Sequence, residues 1–403
     1  MRIPFHEPYF DDREEKALLE CVRSGRVQGG GPFTKTVEAA IRARLGVKHA
    51  ITTTSGTHAL ELAMMVLDVG PDDEVIVPSY TFASTATCVV RQRAKVVFCD
   101  VRRDNLNLDV RDLARRFTKR TKAVIPVHYA GIPVELDEVL ELAKRHGAHV
   151  VEDAAQAYDS RLRGKALGTF GSIGCLSFHG TKNVAAGEGG AIVTDDDALA
   201  RRAEVLREKG TDRALFVRGE VDKYTWRDTG SSFVPSELVT ALLSAQLEKT
   251  DEIQSRRLAI HDRYHEAVAP LERRGLLRRP FVPEGGRTNA HIFYVLARDL
   301  ATRDRIYEGL RGKGIQAMFH YYPLDDSPYG AQFRAPGEPP LPGARFATDR
   351  LVRLPLFVRL APEQVEEVIE ASYEILGVPA SEIPPASPAR GRVPTTRDTS
   401  WTR

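Results

Sequence analysis

Lys182 stands in the stretch "SFHGTKN", residues 177–183, a turn between two apolar runs. A lysine that attacks a carbonyl must be held near it with a lowered pKa, which an apolar or cationic pocket provides. In an open loop the same residue is solvated charge. Three further groups bear on the choice. In "TTSGTHAL", Ser55, Gly56 and Thr57 fall where a strand turns into a helix. Free N–H groups at a helix start favour a phosphate, although Ser and Thr also cap helices without any ligand. "VVEDAAQ" ends an apolar strand with Glu152, Asp153 and Gln156. A carboxylate at such a mouth is costly unless paired, either with a ligand cation such as a protonated pyridine nitrogen or within an internal salt bridge or cap. "PSYTFAST" places Phe82 after another strand, where it can stack on a flat ring or simply fill the core.

The elements that must position these residues alternate between about residues 49 and 195. "HAITTT", "DEVIVPS", "AKVVFCDV", "KAVIPVHY" and "AHVVEDAA" read as strands. Between them lie helical patterns such as "SGTHALELAMMVLDV" and "ELDEVLELAKRHG". Nearly all-apolar strands separated by helices imply an α/β fold with a mostly parallel sheet covered on both faces. Ligands of such sheets bind beyond the carboxyl ends of the strands, and all four groups fall there. A polar, aromatic stretch covers 211–233, and one long helical pattern starts near Pro235. It leads to a smaller α/β unit containing "NAHIFYVLA", "RDRIYEGLRGKGI" and "PEQVEEVIEASYEIL". The expected division is a large domain over 1–250, a small C-terminal domain over 251–378 and a flexible Pro/Ser/Thr/Arg-rich tail over 379–403. A phosphate cradle, a carboxylate for a ring nitrogen, a stacking aromatic and a lysine are together the inventory that holds pyridoxal 5′-phosphate. Dinucleotide binding is disfavoured, because the dense glycine run Gly29–Gly31 follows a helix-like segment and lacks the fingerprint spacing.

Composition excludes other classes. Lys and Arg number 57 against 55 Asp and Glu, a net charge of +2, which offers no basic field for nucleic acid. No run approaches the roughly 18 apolar residues of a spanning helix, and the N-terminus has no secretory h-region. The four cysteines form no metal-spaced pair. They read as thiols of a reduced compartment, and the expectation is a cytoplasmic protein with no metal site.

The stretches "DDEVIVPSYTFAST", "IPVHYAG", "VVEDAAQA", "CLSFHGTKN" and "GEGGAIVT" resemble nucleotide-sugar aminotransferases of the DegT/StrS type, within the fold-type-I pyridoxal phosphate enzymes. The resemblance runs from about residue 2 to 378. "REKGTDR", "VDKYTWRDTGSSF" and "RLPLF" are similar to the members that aminate dTDP-4-keto-6-deoxyglucose at C4. The resemblance implies Lys182 as the Schiff-base lysine, Asp153 as the pyridine partner and Phe82 as the stacking ring. It implies phosphate contacts at Gly56, Thr57 and Ser177, beside Ser55, with Gln156 against the ring. It further implies a homodimer with shared active sites, completed through residues 223–234 and the Gly29–Gly31 loop, and substrate contacts at His128, Tyr129, Tyr224, His320 and Tyr321. Two departures stand out. Ser232 and Val234 replace residues that reach a partner's cofactor phosphate in many relatives; Ser232 can still donate, whereas Val234 cannot. Asp325 stands where many relatives have His. Relatives that replace the lysine by His are dehydratases, and Lys182 argues against that outcome. The implied reaction moves an amino group from an amino acid, L-glutamate, to C4 of a dTDP-4-keto-6-deoxy sugar, with galacto or gluco outcome. The alternatives are a C3 ketosugar, a 4-keto pentose, or a non-catalytic sensor of cofactor or sugar.

Overall fold

A computed structural model describes residues 1–335 and 337–386. The first strand, β1 (His49–Thr53), is followed by β2 (Glu74–Pro78), β3 (Lys95–Cys99), β4 (Thr121–Val124) and β5 (His149–Asp153). A short ribbon, β6 (Arg161–Leu162) and β7 (Lys165–Ala166), precedes β8 (Ile173–Ser177) and β9 (Gly190–Thr194). The large sheet has seven strands in the order β1-β9-β8-β5-β4-β2-β3. Every neighbouring pair is parallel except the two made by β9. Strands β2, β8 and β9 are buried along their whole length, as expected of β-branched strands covered on both faces. One face packs under the helix Gly56–Val66 through Leu60, Leu62 and Met64. The other packs under Pro32–Leu45 and Leu136–His146 through Val37, Ile41 and Val139.

The single long helix expected from Pro235 onward is two helices, Glu237–Glu248 and Thr250–Arg273. The break is at Lys249, with φ −102° and ψ 17°. Its side chain is fully buried, and its ammonium pairs with Glu14 at 2.6 Å and Asp11 at 3.2 Å. A buried ammonium requires such partners, and apolar periodicity carries no record of the turn that delivers it to them.

The smaller unit has its own antiparallel sheet of β10 (Leu277–Arg278), β12 (Phe293–Ala297) and β13 (Leu351–Leu354). A further two-residue strand, β11 (Gly286–Arg287), instead pairs with β6. The helices Leu300–Gly312 and Pro362–Leu376 close a core that includes Phe293, Ile306 and Val368. Ile3 belongs to this core and bridges to Ile315, so the start of the chain packs with the C-terminal unit. Within the expected tail, Glu382 pairs with Arg274 at 2.5 Å, and Pro384 accepts a hydrogen bond from Arg263. Residues 387–403, the remainder of that tail, lie outside the described residues.

Candidate active site

The carboxyl ends of the parallel strands open onto a cavity of about 530 Å³. Lys182, Asp153, Ser55, Gly56, Thr57, Phe82, Gln156 and Ser177 all line it, as do His320 and Tyr321 from the smaller unit. Two glycines let the floor close. A Cβ on Gly190 would lie 2.4 Å from the Ser55 carbonyl, and one on Gly56 would lie 2.7 Å from the Cβ of Ser177. The start of the helix Gly56–Val66 is thereby seated beside the end of β8 and the lysine turn.

Successive residues of a strand point to opposite faces, which separates the two carboxylates of "VVED". Glu152 turns away from the cavity. It accepts from His128 Nε2 at 2.9 Å and from the N–H groups of Gly168, Phe170 and Gly171. Asp153 faces the cavity with two hydrogen bonds, from Thr85 Oγ1 at 2.8 Å and from the Ala155 N–H at 3.1 Å. Burial raises its carboxyl above the usual range, so the site favours a cation beside it. Lys182 makes no ion pair within the described residues. Burial lowers its ammonium to about 8, against a smaller upward pull from Asp153. A buried amine titrating that low is deprotonated far more often than a surface lysine.

The Ser55 hydroxyl caps the helix Gly56–Val66, accepting from the His58 N–H at 3.1 Å. The Thr57 and Ser84 hydroxyls lie 2.7 Å apart at the same helix mouth. Gln156 accepts from the Ala130 N–H at 2.8 Å and donates to the Tyr321 hydroxyl at 3.3 Å, so its amide is held on both sides. Phe82 is 61% exposed at the edge of the cavity, with its ring centroid 6.3 Å from that of Tyr321. An amine without an ion pair, a buried carboxylate, a hydroxyl-bearing helix start and an aromatic ring therefore surround one cavity. They fit pyridoxal phosphate, whose aldehyde, ring nitrogen and phosphate need those partners.

Four expected residues lie elsewhere in this chain. His128 is fully buried outside the cavity lining, with Nε2 on Glu152 and Nδ1 accepting from the Val134 N–H, so both ring nitrogens are engaged by protein. Tyr129 is likewise buried, its hydroxyl 3.2 Å from His320 Nδ1, so it supports a cavity residue instead of lining the space. Tyr224 is exposed against Phe216, and Ser232 lies on an exposed bridge to Glu208, both outside the cavity of one chain. Asp325 turns inward, accepting from the Ser79 hydroxyl and the Leu341 N–H.

The structure adds residues that sequence reasoning missed. Arg353, on β13, reaches the cavity with its guanidinium over the Phe5 ring at 4.4 Å and Nη1 on His320 Nε2. Its Nε is buried without a partner, and no carboxylate of the described residues pairs with it. His291 lines the same wall. Each is a lone polar residue in an apolar run, "LVRLPLF" and "AHIFYVL", which was the available signal.

A mostly parallel sheet with a carboxylate at one strand end and a lysine beyond another fits a pyridoxal phosphate enzyme of fold type I. The chain belongs to the DegT/DnrJ/EryC1/StrS aminotransferase family, whose model matches residues 8–372. It is 34% identical over 382 residues to the spore coat polysaccharide biosynthesis protein SpsC of Bacillus subtilis, covering 93% of this chain and 97% of that one. It is 33% identical over 390 residues to GDP-perosamine synthase of Caulobacter vibrioides, covering 93% and 98%. Among solved structures it is similar to S. venezuelae DesV in complex with a ketimine intermediate, with TM-score 0.84, 33% identity and coverage of 93% and 98%. The protein is a sugar aminotransferase, and pyridoxal phosphate is its cofactor. No helix of the described residues is long and apolar enough to cross a membrane.

Proposed function

We propose that the chain transfers an amino group from L-glutamate to C4 of a dTDP-4-keto-6-deoxy sugar, giving a dTDP-4-amino-4,6-dideoxyhexose. The observation that carries the reading is the pairing, in one cavity, of an unpaired low-pKa amine, Lys182, with a buried carboxylate, Asp153. Bound there, pyridoxal phosphate supplies a ring that accepts the electron pair released when a C–H bond beside the amine breaks. Lys182 Nζ would hold the cofactor, and would take and return the proton at the substrate carbon. Asp153 keeps the proton on the ring nitrogen. Ser55, Gly56, Thr57 and Ser177 receive the phosphate, Phe82 covers the ring and Gln156 flanks it. Arg353, a buried cation without a carboxylate partner, receives a carboxylate of the amino-acid donor, since an unpaired buried guanidinium is costly until an anion arrives.

The working form is a cytoplasmic homodimer. The segment 211–233 supports this reading, because Val217 and Trp226 are 61% and 81% exposed on a single chain. Light scattering tests it, and a monomeric mass at micromolar protein contradicts it. The relation to GDP-perosamine synthase favours a second nucleotide, a GDP-linked 4-keto-6-deoxyhexose. Both ketosugars are offered to the loaded protein with L-glutamate, and the product amine is identified by NMR. The proposed reading requires a 4-amino product from the dTDP sugar; turnover of the GDP sugar alone overturns the nucleotide assignment.

A further inference from the structure

The cavity must take two substrates in turn, one carrying carboxylates and one carrying hydroxyls, and its small-domain wall presents two opposite valences. Arg353 can only donate. The valence of His291 follows from the hydrogen bonds behind it. Gln254 Nε2 donates to the Tyr158 carbonyl at 3.3 Å, so its Oε1 faces Asn183. Asn183 Nδ2 donates to that Oε1 at 3.3 Å and to the Asn289 carbonyl at 2.7 Å. Both acceptors fix which end of the Asn183 side chain is nitrogen, leaving Oδ1 toward His291 Nδ1 at 3.0 Å. That oxygen cannot donate, so Nδ1 carries the proton. A neutral imidazole has a single N–H, and burial together with Lys182, Arg257 and Arg353 holds His291 neutral. Its Nε2 is therefore a bare lone pair, and no protein group in the described residues donates to it. The frame behind it is rigid: Arg257 donates to the carbonyls of Ala290 and His291, and Asn289 is tied to Gln156 and Tyr158.

We infer that His291 Nε2 accepts a hydrogen bond from a hydroxyl of the acceptor sugar beside its ketone, making His291 a specificity residue for the sugar half-reaction. The inference rests on the acceptor-sugar reading above. A lone pair repels a carboxylate, so the donor's anionic end is turned away from His291 and toward Arg353. One wall thus sorts the two substrates: a donor group for the amino acid and an acceptor group for the sugar.

Two measurements test this. Imidazole nitrogen NMR of the ¹⁵N-histidine-labelled loaded protein, with the His291 signals assigned by their loss in His291→Gln, reads the tautomer directly. Nδ1 protonated and Nε2 bare is expected; a proton on Nε2 overturns the inference whether or not any variant is active. Single-turnover kinetics then separate the half-reactions. His291→Phe raises the apparent sugar KM roughly tenfold, the loss of one neutral hydrogen bond, and changes the L-glutamate half-reaction far less. His291→Gln, which keeps an acceptor oxygen, recovers part of that loss. With the 3-deoxy analogue of the dTDP-4-keto sugar, wild type and His291→Phe converge, because the hydroxyl is gone. Equal losses in both half-reactions, or a penalty that persists with the deoxy analogue, contradict the assignment. If the wild type reacts with L-glutamate but with neither ketosugar, the acceptor reading itself falls, and the hydroxyl assignment with it. The tautomer measurement still decides the valence of His291.

Discussion

Glu152 and Asp153 are neighbours on β5, and their surroundings differ as much as any two in the molecule. Glu152 is fully buried, and its two oxygens accept from one imidazole and three backbone N–H groups. Nothing is left for a ligand. Asp153 is nearly as buried but accepts from only one hydroxyl and one N–H. The same contrast separates His128, with both nitrogens engaged by protein, from His291, with one nitrogen bare. Buried polar groups are ordinarily satisfied. Asp153 and His291, on the cavity, keep acceptor capacity that no protein group of the described residues uses, whereas Glu152 and His128 keep none.

That contrast can be broken from either side, beginning with the largest effect. Lys182→Ala leaves a folded protein that binds cofactor without covalent attachment, and turnover falls by roughly 10³-fold or more. Coupled-assay rates check this, and retained steady-state activity contradicts the role given to Lys182. On the closed side, Glu152→Ala strands His128 and three N–H groups and lowers stability by about 3 kcal/mol. Urea unfolding reads it, while activity per folded molecule falls far less than in Lys182→Ala. Arg353→Met, which keeps the contact with Phe5 but removes the charge, raises the donor KM roughly 10- to 100-fold. The sugar half-reaction is comparatively spared.

The smallest effect is a titration. The Lys182 ammonium sits at about 8 in the folded protein against an ordinary 10.5. In cofactor-stripped protein, labelling of Lys182 by an amine reagent therefore rises with pH around a midpoint near 8, while surface lysines rise later. Peptide mass spectrometry separates the two. A midpoint at the ordinary lysine value would remove the buried, apolar character assigned to this amine.

The strands, the lysine turn and the placement of Asp153 at the end of a parallel strand were legible, because apolar runs and polar strand ends are local features. "SFHGTKN" answered to its chemistry only alongside "VVEDAAQ" and "TTSGTHAL", and the fold does bring the three together. What was not legible is which polar residues are already satisfied. His128 lies in a stretch that reads as a strand end, yet its ring is consumed by Glu152 from the next strand of the sheet. Arg353 and Lys249 pose the same problem with opposite answers. Both are buried cations in unremarkable sequence, but one finds Glu14 and Asp11 and the other finds no carboxylate. Those outcomes depend on contacts across more than 200 residues of chain, which local pattern does not encode. The Asn183 frame that sets the tautomer of His291 is of the same kind, since it joins residues 158, 183, 254, 289 and 291.

One cavity, through Lys182, is assigned both halves of the amino transfer. The visible spectrum of the purified, loaded protein tests it most directly, recorded before and after L-glutamate and again after dTDP-4-keto-6-deoxyglucose. The band of the lysine-bound cofactor is expected to be lost with L-glutamate and restored by the ketosugar, and Lys182→Ala is expected to lack this band from the start. A band that L-glutamate leaves untouched, or the same cycle in Lys182→Ala, would contradict it.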